Sequence, residues 1–338
     1  MANQLTTRPD TPRRSWASRL FGNFSARGRE AESLPGPPRE APAQTSSKLR
    51  GMARQLLADG RYVFVLIKEA VGTIDEADAA CAWDTLTDHM ALIPAGVVPV
   101  VYPNGGVGPV EIPAFYLDRT AVTNRQYQAF VNAGGYDELE IWPKEVWPSV
   151  MKLVDRTRRP GPRDWENGRH PAGKADHPVA GVCWYEAAAY AAWVGKRLPT
   201  AAEWQKAGGW PEHLSGGSCN RYPWGDVFEA GRANLGGAGA GGTVPAADYP
   251  QGATPNGIHQ MAGNVWEWLA DRLDAIPCRP DETFQGLRPM RRIVGGAFDT
   301  YFPAEATCQF ITGQPDLDRR ENIGFRCAVS AGRLRPRS

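Results

Sequence analysis

Hydrophobic and polar positions alternate in more than one rhythm along the chain. Between residues 52 and 70, Leu56, Leu57, Tyr62, Val63, Phe64, Leu66 and Ile67 keep near-helical spacing, and between 75 and 89 Ala79, Ala80, Trp83 and Leu86 recur at steps of three and four. Residues 49–89 are therefore expected to form a helical hairpin stacked on the main domain. Short apolar runs at 90–94 and 114–117 predict strands. A helix starts at Thr123-Asn124, buries Tyr127, Phe130 and Val131, and stops at Gly134-Gly135. The next stretch, 136–176, is rich in Trp and Pro without clear period and reads as a structured surface insertion. A second helix is predicted over 184–194, and Thr200-Ala201-Ala202-Glu203 is a capping box that opens a third. The pattern is densest at NGIHQMAGNVWEWLAD, residues 256–271. Two turn pairs, Asn256-Gly257 and Gly263-Asn264, precede an alternation from 265 to 269 that puts Trp266 and Trp268 on one face and Glu267 on the other. Glu267 is then either a solvated strand residue or a carboxylate that joins backbone carbonyls around a hard cation, and the spacing leaves both readings open.

Composition narrows the class of protein. Twelve Trp, 37 Gly and 29 Pro in 338 residues favour many turns around an aromatic core over long helices. With 38 Lys and Arg against 37 Asp and Glu, no global basic field points to nucleic acid. No apolar run is long enough to span a bilayer and no signal peptide is evident, so the expected location is cytoplasmic. The six cysteines, at 81, 183, 219, 278, 308 and 327, lack zinc-site spacing and read as free or buried thiols in a reducing compartment. Residues 1–48 are Pro-rich and basic and are expected to be a disordered arm. Within the arm, Trp16, Leu20, Phe21 and Phe24 fall at helical spacing among arginines, a pattern that suits a membrane surface or a partner's groove as well as a plain tail. The final residues, 331–338, read as a basic tail. The run GGAGAGG is not a phosphate loop, because no Gly-Lys-Ser/Thr comes after it.

The order of DRTAVTNRQYQAFV, HPVAGVCWYEAAAYAAWVGKRLPTAAEW, RYPWGD, NGIHQMAGNVWEW, GGAF and NIGFRCA resembles the formylglycine-generating enzyme, or sulfatase-modifying factor, family, over about residues 90–330. The resemblance implies an α+β, C-type-lectin-like fold with little regular secondary structure. It also implies where chemistry should lie. Catalytic members hold copper on a cysteine pair that converts a substrate cysteine in a Cys-x-Pro-x-Arg motif to formylglycine. Soft thiolates select Cu(I), yet the corresponding positions here are Thr300 and Glu305, and the family's serine is Ala297. Copper is thus not expected. Nor is iron: the sulfoxide-synthase branch takes its ligands from histidines of a separate helical domain, and residues 51–89 contain only His89. Cys308 lies three residues beyond Glu305 and reads as a small buried residue of the next strand.

Calcium is the metal that the resemblance retains. One site is implied at Gln260, Gly263, Val265 and Glu267, with Gln260 in place of the usual Asn. A weaker second site would begin at Asn234-Leu235, where Ala238 replaces the acidic partner. The resemblance also places Asn322 in the family's groove, where a turn residue before Ile323 is the plainer reading. Three functions are then expected as alternatives. The first is a binding module whose loops, with Asp299, Thr300, Tyr301, Glu305 and Asn322, recognise a protein, peptide or small ligand. The others are a diverged oxidase acting on a protein or small molecule, and a signalling scaffold associated with a kinase.

Overall fold

The computed structural model describes residues 51–68, 74–101, 107–209, 219–237, 239–273 and 289–337. The longer helices are α1 (Glu76–His89), α2 (Asn124–Asn132), α3 (Trp184–Trp193) and α4 (Ala201–Gly209). The strands are β1 (Met90–Ile93), β2 (Gly96–Val101), β3 (Val107–Ile112), β4 (Phe115–Asp118), β5 (Trp266–Arg272), β6 (Met290–Val294), β7 (Ile311–Pro315), β8 (Ile323–Gly324) and β9 (Ala328–Ser330). They form an antiparallel sheet β1-β4-β9, a hairpin β2-β3, and a four-stranded sheet β7-β6-β5-β8 in which only the β5–β8 pairing is parallel. Short helices on small curled sheets with long connections make this the α+β architecture that the sequence implies. The expected arm, residues 1–48, lies outside the described residues. No described helix is long and apolar enough to cross a membrane.

Local sequence explains the helix starts. Thr123 Oγ1 accepts the Gln126 N–H at 3.3 Å while Gln126 Oε1 accepts the Thr123 N–H at 2.8 Å, a reciprocal cap on α2. The same device opens α4, where Glu203 accepts from the Thr200 N–H and is clamped by two bonds from Arg197 at 2.6 and 2.7 Å. Between α2 and α3 sits an aromatic core in which Tyr127, Phe130, Tyr190, Trp193 and Phe325 meet ring to ring.

In three places the structure departs from expectation. Residues 136–176 are not a surface insertion, because Tyr136, Trp142, Val146, Val150, Leu153 and Trp165 all enter this core. The stretch lacks period because its anchors dock one by one through short turns. Residues 331–337 are not a free tail either. Leu334 is buried with Tyr62, Leu66 and Leu86, and the segment bonds the first helical stretch through Lys68 N–H to Arg333 O and Arg335 N–H to Leu66 O. The described helical residues before β1 are thereby closed off by residues 331–337. Finally, β5 is not half-solvated: residues 265–269 are buried on both faces, Glu267 included.

Candidate functional site

The loop before β5 turns where the sequence predicts. Gly257, Gly263 and Asn264 all have positive φ, and a Cβ on Gly263 would fall 2.6 Å from Asn234 O, so the two loops can meet only at glycine. The residues proposed for calcium lie on this turn and at the start of β5, and the side-chain oxygens of Gln260 and Glu267 are engaged with separate partners. Both oxygens of Glu267 accept from the Arg326 guanidinium at 2.7 Å, and Oε2 also accepts from Trp204 Nε1 at 2.8 Å. Glu267 and Arg326 are 1% and 0% exposed, making this a bidentate ion pair in the interior. Gln260 Oε1 accepts from Asn264 Nδ2, while its own amide nitrogen donates to the carbonyls of Pro245 and Asp248. Gly263 O accepts from the Val265 N–H. As arranged, this donor set offers a hard cation no carboxylate oxygen free of a guanidinium.

At the second position, Asn234 Oδ1 accepts the Ala240 N–H at 3.0 Å and Leu235 O accepts the Gly239 N–H at 2.9 Å. Asn234 Nδ2 donates to Gly242 O and Asn264 Oδ1, so the two loops share one amide network. Ala238 lies outside the described residues. Among the described residues, no three His, Cys, Asp or Glu side chains gather to hold a metal ion.

The groove residues come from the turn after β6. Thr300 is buried and its hydroxyl accepts the Ala297 N–H at 2.9 Å, so it braces the turn. Glu305 is half-buried on the helical turn Pro303–Ala306. A hydroxyl spent on its own loop and a carboxylate are hard oxygen donors and do not fit Cu(I). Asn322, pinned through its carbonyl to the Trp266 N–H, donates from Nδ2 to both oxygens of Asp299 at 3.0 and 2.9 Å. Tyr301 and the adjacent Phe302 stand 71% and 69% exposed.

Beside Asp299 and Asn322 opens a cleft of about 330 Å³. Phe298 and Glu321, their chain neighbours, line it together with Trp165, Arg156, Asp164, Lys174 and the Gly241-Gly242-Thr243 backbone. Arg156 pairs with Asp164 at 3.2 Å. Lys174 and Glu321 form no ion pair with any described residue, leaving the cleft one cation and one anion to offer a ligand. His177 Nδ1 lies 3.1 Å from Thr243 Oγ1, and burial, then the Lys174 charge, holds its pKa below the usual histidine value. Motif order points to Asn322 and the 299–305 turn but not to Arg156, Trp165 and Lys174, which no periodicity marks. Arg326 was also missed, although its signal was available: an arginine inside the apolar run 323–329 needs a buried acid.

Residues 77–331 match the model of the sulfatase-modifying factor enzyme 1-like domain. The hercynine oxygenase of Mycolicibacterium smegmatis is 35% identical over 231 residues, covering 67% of this chain and 49% of that relative, so this chain spans about half of that protein's length. The formylglycine-generating enzyme of Thermomonospora curvata is 32% identical over 296 residues, covering 71% of this chain and 93% of the relative. Among solved structures, CarF superposes with a TM-score of 0.50 at 20% identity over 73% of this chain and 98% of its own, a likeness of fold.

Proposed function

The chain belongs to the sulfatase-modifying factor enzyme 1-like family, and from that premise we propose that it is a recognition module on the family scaffold. Its cleft takes a small molecule or peptide segment that carries one positive and one negative group. The observation that carries this reading is the juxtaposition of Lys174 and Glu321, unpaired with any described residue, around aromatic walls in a cleft of ligand size. A zwitterionic ligand would satisfy both charges at once, with Trp165 and Phe298 covering its apolar part. Arg156 and Asp164 already hold each other, so they shape the wall and add no net charge. The turn at 297–305 supports binding over oxidation, since Thr300 and Glu305 replace the soft ligands that the family's copper chemistry requires.

The test is thermal unfolding of the purified protein against amino acids and short peptides, the Cys-x-Pro-x-Arg peptide among them, each compared with versions blocked at one charge. A zwitterionic ligand should raise the melting temperature in a saturable way, since binding only the folded state stabilises by about 2.7 kcal/mol at a hundredfold excess over Kd. Lys174→Glu and Glu321→Lys should each abolish the shift. Equal shifts from ligands lacking either charge would contradict the reading.

A further inference from the structure

Two cysteines far apart in sequence, Cys219 and Cys308, meet at the end of α4. A Cβ on Gly209 would lie 2.5 Å from Cys219 Sγ and 3.2 Å from Cys308 Cβ, so only a glycine leaves room for both side chains. The adjacent Gly208 does the same for the other side of Cys308, whose sulfur would be 3.1 Å from a Cβ there. The backbones are already strapped together. Asn220 N–H donates to Gly209 O at 2.7 Å, Cys308 N–H donates to Arg221 O at 2.7 Å, and Gln309 Nε2 reaches both Asn220 O and Cys219 Sγ at 2.8 Å. Both thiols are free in this structure. A disulfide needs Cα atoms within about 7 Å and side chains that point toward one another, and the one point that lies 2.5 Å from Cys219 Sγ and 3.2 Å from Cys308 Cβ makes these two side chains neighbours.

We propose that Cys219 and Cys308 are a dithiol that closes reversibly to a disulfide by exchange with a small disulfide. Access sets the order of events: Cys219 is half-exposed, whereas Cys308 is 0% exposed and cannot meet a reagent first. The Cys219 thiolate attacks one sulfur of the small disulfide, whose S–S bond breaks, and the first small thiolate leaves with the electron pair. Cys308 Sγ then attacks Cys219 Sγ and expels the second small thiolate. Two protein thiols are oxidised, one small disulfide is reduced to two thiols, and the two protein protons end on the leaving thiolates. Burial holds both thiols above their ordinary pKa, Cys308 the more strongly, so the reaction is slow at neutral pH and quickens as pH rises. Closure would pin the base of the turn that carries Thr300, Tyr301 and Glu305, to which Tyr222 already donates through Pro303 O. These contacts hold whether or not the cleft binds a ligand.

Incubation of the full chain with oxidised glutathione, then alkylation in denaturant and peptide mapping, tests it. The expected product is one peptide pair, joined through Cys219 and Cys308 and lighter than its two parts by two hydrogens, that dithiothreitol returns to free thiols. In Cys308→Ala the reaction should stop with glutathione on Cys219. In Cys219→Ser, Cys308 should stay unmodified in the folded protein, and this half-exposed position keeps the test open if the buried alanine variant does not fold. Full alkylation of both residues after oxidation, a glutathione adduct that persists on Cys219 in the unaltered chain, or a link from Cys219 to Cys81 or Cys278 would overturn the proposal.

Discussion

The interior and the cleft treat charge in opposite ways. Inside, three charges are held by opposite ones: Glu267 with Arg326 at 2.7 Å, Glu186 with Arg319 at 2.8 Å, and Asp118 with Lys196 at 2.6 Å. Remaining hydrogen-bond capacity goes to neighbours. Glu186 also accepts from Tyr136 Oη and the Cys183 N–H, and Asp118 from the Cys327 N–H. At the cleft, Lys174 and Glu321 share a wall without pairing to any described residue. The first arrangement fixes loops that have little regular structure of their own, and the second leaves charge for something that arrives. A buried ion pair is strong evidence for a scaffold and weak evidence for net stability, since desolvation offsets much of the attraction.

The largest effect should come from breaking the interior pair. Arg326→Met leaves Glu267 buried without its cation and should cost about 3–5 kcal/mol in denaturant unfolding, part of which returns in Arg326→Met/Glu267→Leu. Glu267→Gln sharpens the point about metal. Its melting temperature should fall by the same amount in calcium and in chelator, because Arg326 is its partner, whereas a fall confined to calcium would give the carboxylate to the ion.

Acidification should come next in size. The pKa of His177 is depressed by burial and then by Lys174, and that of His259 by burial and then by Arg326 and Arg119. The unfolded chain therefore binds more protons than the folded one as pH falls through about 6.5. The stability these residues contribute is present above that pH and is lost below it. Melting temperatures between about pH 7.5 and 5 should decline, less steeply in His177→Gln.

Smaller still is the effect on stability of the cleft charges. Lys174→Glu should change unfolding free energy by no more than about 0.5 kcal/mol, as expected of an exposed residue, while removing ligand binding. The exposed pair Arg125–Asp176, with side chains 66% and 67% exposed, should couple by less than about 1 kcal/mol in a double-mutant cycle. If that surface pair proved as strong as Glu267–Arg326, the contrast between interior and surface would fail.

Legibility in the sequence tracks the reach of each interaction. The caps at Thr123 and Thr200 involve residues three apart, so a local pattern displays them. The Gly263-Asn264 turn is likewise local. Glu267 with Arg326 spans 59 residues and Glu186 with Arg319 spans 133, and neither leaves a periodic trace. The cleft joins residues from 124 to 321, including the unperiodic stretch whose Trp165 faces core and cleft at once. The motif order that carries the family resemblance crosses these distances and made the fold legible where spacing could not. It did not disclose which buried partner each motif residue would take.

Whether this chain binds or oxidises is decided most sharply by mass spectrometry of a Cys-x-Pro-x-Arg peptide incubated with the copper-treated protein in air. The peptide should return with its thiol intact, because Thr300 holds its hydroxyl on the Ala297 N–H and Glu305 supplies only oxygen to a soft metal. Copper-dependent loss of that thiol with gain of an aldehyde would contradict the recognition role and make this chain an oxidase.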